Sequence, residues 1–307
     1  MDRRTALARL TDIAARDMIP FARRLAAGAR RSADELALRL LGPDFDERVQ
    51  QLRERYHENG GDPFGYDADT AKYAVMVGSF FHRMYFRTEV NGVGNVPPGR
   101  CLLIANHSGQ IPIDAAIIGN AMFLDANPPR MIRAMVEKWA MTLPFVATFF
   151  SRVGQVVGVP ENARLLLERE EMLLVFPEGM RGISKPFTRR YQLEEFGLGF
   201  MRLAIETDTP IVPVAVVGAE EQYLNLGNLE WAARALNMPV FPIVPQFLLT
   251  GGLPLPTRYR LYFGEPMRFE GDDDDDDAII EAKVWVVKQT IQSMLNRAVR
   301  ERKSVFF

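Results

Sequence analysis

Cys101-Leu102-Leu103-Ile104-Ala105-Asn106-His107-Ser108-Gly109-Gln110-Ile111-Pro112-Ile113-Asp114 decides the fold class of this chain. Its first five residues are apolar without interruption. That is the pattern of a strand covered on both faces rather than on one. The turn from Asn106 to Gln110 ends the run. Pro112 sits where a helix starts, because the N–H it lacks has no partner in a first turn. The apolar residues beyond it predict a helix over Pro112–Phe123.

The same rhythm extends outward. β-type runs occur at Thr88–Asn91, Cys101–Asn106, Arg130–Met135, Gln155–Val157, Met172–Phe176, Ile211–Val217 and Arg258–Phe263. Helical patterns lie between them at Pro160–Glu171 and Gln192–Thr207, and a closing helix runs over about Ala278–Arg300. Such alternation predicts an α/β fold with a largely parallel sheet flanked by helices. No internal repeat is visible. Upstream, Leu7, Leu10, Ala14, Met18, Phe21 and Leu25 recur every three or four residues, with arginines between them. Further helices are expected over Asp46–Asn59 and Ala71–Phe86, separated by the breaker run Gly60-Gly61-Asp62-Pro63. The expected organisation is an N-terminal helical region over 1–75, with possible membrane contact, and a main domain over 76–307.

Composition narrows the classes. The 307 residues are 48% hydrophobic and 25% charged, so a sizeable core is available and global disorder is excluded. Lys and Arg total 37 against 39 Asp and Glu, which argues against nucleic acid as a partner. The single cysteine, Cys101, excludes an internal disulfide and reads as packing within its strand. The longest uncharged stretch, Ala235–Thr257, carries five prolines, which a membrane-spanning helix would not survive. It reads as an apolar, irregular surface or tunnel wall. Residues 1–31 hold eight arginines and no secretory core, so a cytosolic-side protein is expected. The run Asp272–Asp277 reads as a solvated loop whose last member caps the closing helix.

Two stretches carry chemistry. His107 ends an apolar strand, and in an open α/β sheet ligands bind at the carboxyl ends of strands. Asp114 follows in the first helical turn. Either it fixes the imidazole's tautomer, or it merely favours the helix dipole while His107 fills a turn. His57 and His82 lie in helices and read as structural. The second stretch, Phe176-Pro177-Glu178-Gly179-Met180-Arg181-Gly182, also closes an apolar strand. Lys185, Arg189 and Arg190 follow it. The cluster suggests an anionic ligand, with a solvated charged loop as the alternative.

Asn106-His107 with Asp114, then Phe176-Pro177-Glu178-Gly179 with Arg181, resembles the glycerolipid acyltransferase superfamily that includes 1-acylglycerol-3-phosphate acyltransferases. Ile211-Val212-Pro213-Val214 and Phe263-Gly264-Glu265-Pro266 agree with it, so the similarity covers about Tyr85–Met267. Six residues separate His107 from Asp114 where the usual motif has four, as in an atypical bacterial branch. The stretch Val153–Ala163 lacks the usual arginine. The resemblance implies transfer of a fatty acyl group from a thioester to a glycerolipid hydroxyl, with His107 as general base and Asp114 as its partner. Glu178, Gly179 and Arg181 would bind substrate, Arg181 at an anionic head group. No metal or cofactor is implied beyond acyl-CoA or acyl-carrier protein as co-substrate. The implied partners are the acyl donor, a lipid acceptor and, peripherally, the inner face of the membrane. A non-phosphate acceptor such as a diacylglycerol, another alcohol or an amine is the alternative, and a non-catalytic lipid-binding protein of the same fold the next. The apolar stretches Trp139–Ser151 and Val240–Pro256 are candidate walls for an acyl groove.

Overall fold

The computed structural model describes residues 35–58, 61–108, 111–138, 140–142, 145–235 and 241–307. The amphipathic run Leu7–Leu25 and the arginines of 1–31 lie outside the described residues. The chain divides into two compact units, 1–45 and 46–307. In the first, residues 35–41 are helical. The second holds the whole sheet. It includes helices α1 (Phe45–Glu58, from Asp46 onward) and α2 (Ala68–Phe80), which the sequence groups with the N-terminal region.

Seven strands form one sheet: β1 (Glu89–Asn91), β2 (Cys101–Ala105), β3 (Ile132–Val136), β4 (Val156–Val157), β5 (Met172–Val175), β6 (Ile211–Val217) and β7 (Arg260–Phe263). Their order is β1-β7-β6-β2-β5-β3-β4. Only the β6–β7 pairing is antiparallel, so the sheet is largely parallel, as the alternating pattern predicts. Each strand lies within two residues of its expected place at either end.

The side-chain period of two sorts the strands between two cores. Leu102 and Ile104 of β2 face one core; Cys101, Leu103 and Ala105 face the other. Helix α3 (Ile113–Leu124) covers the second face through Ile117, Ile118, Ala121 and Met122. The first face is covered by α5 (Pro160–Glu168), by α7 (Gly199–Glu206) and by the 25-residue α10 (Asp277–Glu301). Helix α10 buries Ile280, Val284, Val287, Ile291, Met294, Leu295 and Ala298, a stripe at spacings of three, four and one. Between these run α4 (Val146–Arg152) and three short helices, α6 (Met180–Ser184), α8 (Glu230–Ala235) and α9 (Pro245–Leu249).

Three local expectations change. The helix expected over Gln192–Thr207 begins only at Gly199, because the preceding residues spend their backbone groups on other elements. Glu194 N–H donates to Glu178 and Leu193 N–H to Gln292. The helix expected to end at Phe86 is α-helical to Phe80 and then widens into a π turn over Phe81–Tyr85. Asp276, not Asp277, occupies the N-cap of α10 and makes no capping bond with its side chain. The acidic run is held instead by Arg202, which donates to the carbonyls of Asp273 and Asp275 and to the Asp277 carboxylate, and by Lys283 against Asp275.

Candidate active site

β2 and β5 are adjacent and parallel, with Ile104 opposite Val175. Their carboxyl ends therefore bring His107 beside Glu178, 71 positions further along the chain. The connection leaving β2 passes over one face as α3, and the connection leaving β5 reaches the other face as α7. In open α/β sheets, ligands bind at strand ends where the connections part in this way.

Asn106 prolongs the ladder past the end of β2. Its side-chain amide donates to Val216 O at 3.0 Å and accepts from Val216 N–H at 2.7 Å, copying a backbone pairing. Both partners are buried, so neither group has water as a substitute. This fixes the chain direction just before His107.

The imidazole stacks on Phe176, with ring centroids 4.0 Å apart and planes 19° apart. Its Nδ1 lies 2.7 Å from Asp114 Oδ2. Asp114 is fully buried in the first turn of α3, and it also accepts from the N–H groups of Ser108 at 2.9 Å and Ala115 at 2.8 Å. A carboxylate at Nδ1 favours the tautomer with its proton there, which leaves Nε2 as the acceptor. The His107 side chain retains 15% exposure. A second His–Asp pair, His82 Nε2 to Asp125 Oδ2 at 3.0 Å, has only 3% exposure at the histidine. Of these two paired rings, His107 is the more exposed.

Glu178 is buried and gives both oxygens to the protein. Oε1 accepts from His107 N–H at 3.1 Å, and Oε2 from Glu194 N–H at 2.8 Å. Gly179 adopts φ 55° and ψ −139°, a conformation that a side chain would strain, and it starts the short helix α6. Gly182 packs directly on the site. A Cβ there would lie 3.0 Å from His107 O and 3.0 Å from Glu178 Cβ.

The four cations of this region separate. Arg181 is half exposed and pairs with Glu195 at 3.0 Å. Arg189 pairs with Glu194 at 2.8 Å, and Arg190 lies over the Phe187 ring at 4.5 Å. Lys185 does not join a ligand-facing cluster. It is buried between Glu178 and Glu220, where no solvent-facing anion reaches it. The position of Glu220 has no signal in the sequence, because it comes from the turn after β6, 35 residues from Lys185.

Cys101 is buried in β2, and burial pushes its thiol up to about 11. The thiolate is therefore absent at neutral pH, which fits its reading as packing. Among the described residues no group of histidine, cysteine and acidic side chains is arranged to hold a metal.

The apolar stretches expected to wall a groove are largely at the surface. In Trp139–Ser151, Phe145 is exposed and Phe149 half exposed; residues 139, 143 and 144 lie outside the described residues. In the stretch from Val240, residue 240 itself lies outside them. Beyond it, Leu248 and Leu249 are 92% and 82% exposed, and Leu253 is half exposed. This connection between β6 and β7 reaches the site loop, because Asn225 donates to Ser184 O and Lys185 O, and Phe187 N–H to Asn225 O.

The family model described as Acyltransferase matches residues 87–217, a span that begins before β1 and includes both motif loops. The uncharacterized protein Rv0502 of Mycobacterium tuberculosis is 35% identical over 294 residues, covering 92% of this chain and 82% of its own. A mouse protein named "DGAT1/2-independent enzyme synthesizing storage lipids" is 22% identical over 212 residues, 69% of this chain and 60% of its own. In structure, the chain is similar to PlsC, a 1-acyl-sn-glycerophosphate acyltransferase from Thermotoga maritima. The TM-score is 0.50 at 16% identity, over 76% of this chain and 83% of that one. At that identity the likeness concerns the fold.

Proposed function

This chain belongs to the glycerolipid acyltransferase superfamily and is an acyltransferase, and from that premise we propose that it moves a fatty acyl group from an acyl thioester to a glycerolipid hydroxyl. The observation that carries the reading is the His107–Asp114 contact at the carboxyl ends of β2 and β5. His107 Nε2 takes the proton of the acceptor hydroxyl as its oxygen attacks the thioester carbonyl. The tetrahedral intermediate collapses by breaking the C–S bond. The proton on Nε2 then passes to the leaving thiolate, which restores the ring. Asp114 orients the ring and stabilises the imidazolium between the two transfers. Acyl-CoA or acyl-carrier protein serves as donor, and the chemistry balances without a further cofactor.

Gly179 and Arg181 face the acceptor in this reading. Glu178 acts through the His107 loop, because both its oxygens are engaged. A neutral acceptor such as a diacylglycerol is the second reading. It is favoured by the Arg181–Glu195 pair, since an anionic head group would have to displace a carboxylate already there.

The lipid substrates imply a peripheral membrane partner. No described helix is long and apolar enough to cross a membrane. The exposed side chains Leu226, Ile243, Leu248, Leu249 and Leu253 lie on the connection that adjoins the site loop, and they suit insertion at a bilayer surface. Purified protein given labelled acyl thioester and a panel of acceptors, with products resolved by lipid mass spectrometry, tests the reading. Acylated glycerolipid is expected. Thioester hydrolysis alone, or no turnover with any acceptor, would contradict it.

A further inference from the structure

Lys185 is the buried cation nearest the site, and the reaction as written gives it no part. Its side chain is 2% exposed and that of Glu178 fully buried. Lys185 Nζ donates to Gln192 O at 2.8 Å and lies 3.5 Å from Glu178 Oε2 and 3.4 Å from Glu220 Oε1. Glu220 Oε2 in turn accepts Tyr191 N–H at 2.9 Å. These contacts tie the carboxyl ends of β5 and β6 and the loop 189–194 to one ammonium. The end of β2 joins them through the Glu178–His107 bond.

Charge decides what the ammonium does. A carboxylate buried away from water costs several kcal/mol unless a cation or several donors offset it. One ammonium faces two carboxyl groups here. Burial and the neighbouring Glu178 raise Glu220, to about 7, against the opposing pull of Lys185. Glu178 meets the ammonium through Oε2 and the His107 N–H through Oε1, so the same carboxylate links the two. Without the ammonium, Glu178 Oε2 keeps only the Glu194 N–H, so the carboxylate is free to turn, and turning weakens its acceptance of the His107 N–H.

Resting on the reading of His107 as the base, we propose that Lys185 is a positioning residue: it holds Glu178 so that Glu178 holds the His107 backbone in the geometry that aims Nε2 at the acceptor. A purely structural Lys185 would change stability and leave the turnover of each folded molecule alone.

The test uses the full chain with Lys185→Met, Lys185→Gln and Lys185→Arg. Two quantities are read: kcat per folded molecule, and the backbone amide shift of His107 after 15N-histidine labelling. The chain has three histidines, so the spectrum holds three backbone signals. We expect Met and Gln to move the His107 amide upfield and lower kcat by about tenfold or more, with the donor KM within about twofold. Lys185→Gln keeps a donor for Gln192 O and serves if the Met variant does not fold. Lys185→Arg keeps the cation, and its kcat should follow its amide shift. A loss of kcat with an unmoved His107 amide, or a moved amide with wild-type kcat, overturns the proposal, as does no change in either. The amide shift reads the Lys185–Glu178 hold whether or not His107 is the base. Failure of the catalytic reading, seen as full turnover by His107→Ala, is thereby kept apart from failure of this inference.

Discussion

His107 Nδ1 and Asp114 Oδ2 lie 2.7 Å apart although six residues separate them in sequence. The longer loop does not take the carboxylate away from the ring, because Asp114 is anchored in the first turn of α3 and receives two backbone N–H groups of its own. An Asn at this position presents an amide and loses the preference for a proton on Nδ1. Asp114→Asn is expected to lower kcat by about 10²–10⁴-fold with the fold retained. Steady-state kinetics beside a circular dichroism melt check this, and unchanged kcat would assign the orienting role elsewhere.

Cys101 is expected to take no part in the chemistry. Its thiol is buried and pushed up to about 11, so the native protein should resist iodoacetamide at pH 7.5 and react only when unfolded. Cys101→Ala should keep kcat within about threefold of wild type. Intact-protein mass spectra before and after denaturation give the first result. Rapid alkylation of the folded protein, with parallel loss of activity, would reopen an acyl-enzyme route.

If the proposed acceptor site is right, the Arg181–Glu195 pair sets the acceptor's charge preference. Arg181→Ala should reduce use of a phosphate-bearing acceptor more than use of a neutral alcohol, since a charge-assisted contact is the stronger one. Glu195→Gln should shift the ratio the opposite way by freeing the guanidinium. Acceptor competition assays measure the ratio. Equal effects on both acceptors would give Arg181 to structure or to the donor's phosphates.

Glu220 makes stability depend on pH in a stated direction. Burial, its largest cause, raises this carboxyl from 4.5 to about 7. The folded state then holds the proton more tightly than the unfolded chain does. This contribution is fully present below about pH 4.5 and is lost as pH rises through about 7. Glu220→Gln should therefore flatten the fall in melting temperature between pH 5 and 8. A wild-type profile retained in that variant would remove Glu220 as the cause.

Leu248 and Leu249 are expected to carry membrane attachment. Leu248→Asp with Leu249→Asp should weaken co-sedimentation with phospholipid vesicles at high salt, where the attraction of the N-terminal arginines is screened. Deletion of residues 1–31 should matter most at low salt. Equal binding by wild type and the double variant at high salt would place the membrane face elsewhere.

Sheet and site differ in how legible they are. The seven strands are readable because continuous apolar runs such as Ile211–Val217 exist for burial on both faces, and a local pattern records that need. The His107–Asp114 contact is legible because eight consecutive positions hold both residues. The helix start at Gly199 is not, since it is decided by where Glu178 and Gln292 recruit backbone N–H groups. Lys185 reads as one more cation beside Arg189 and Arg190, because sequence does not record that β6 delivers Glu220 to it. Glu178 reads as a ligand for substrate for the same reason: its partner, His107 N–H, is a neighbour only once β2 and β5 pair.

The most direct test of the account is the turnover of purified His107→Ala protein with a labelled acyl thioester and the acceptor that the wild type uses best. The account predicts a loss of at least about 10²-fold in kcat, with an unchanged circular dichroism spectrum and a cooperative melt. Near-wild-type turnover by that folded variant would contradict it.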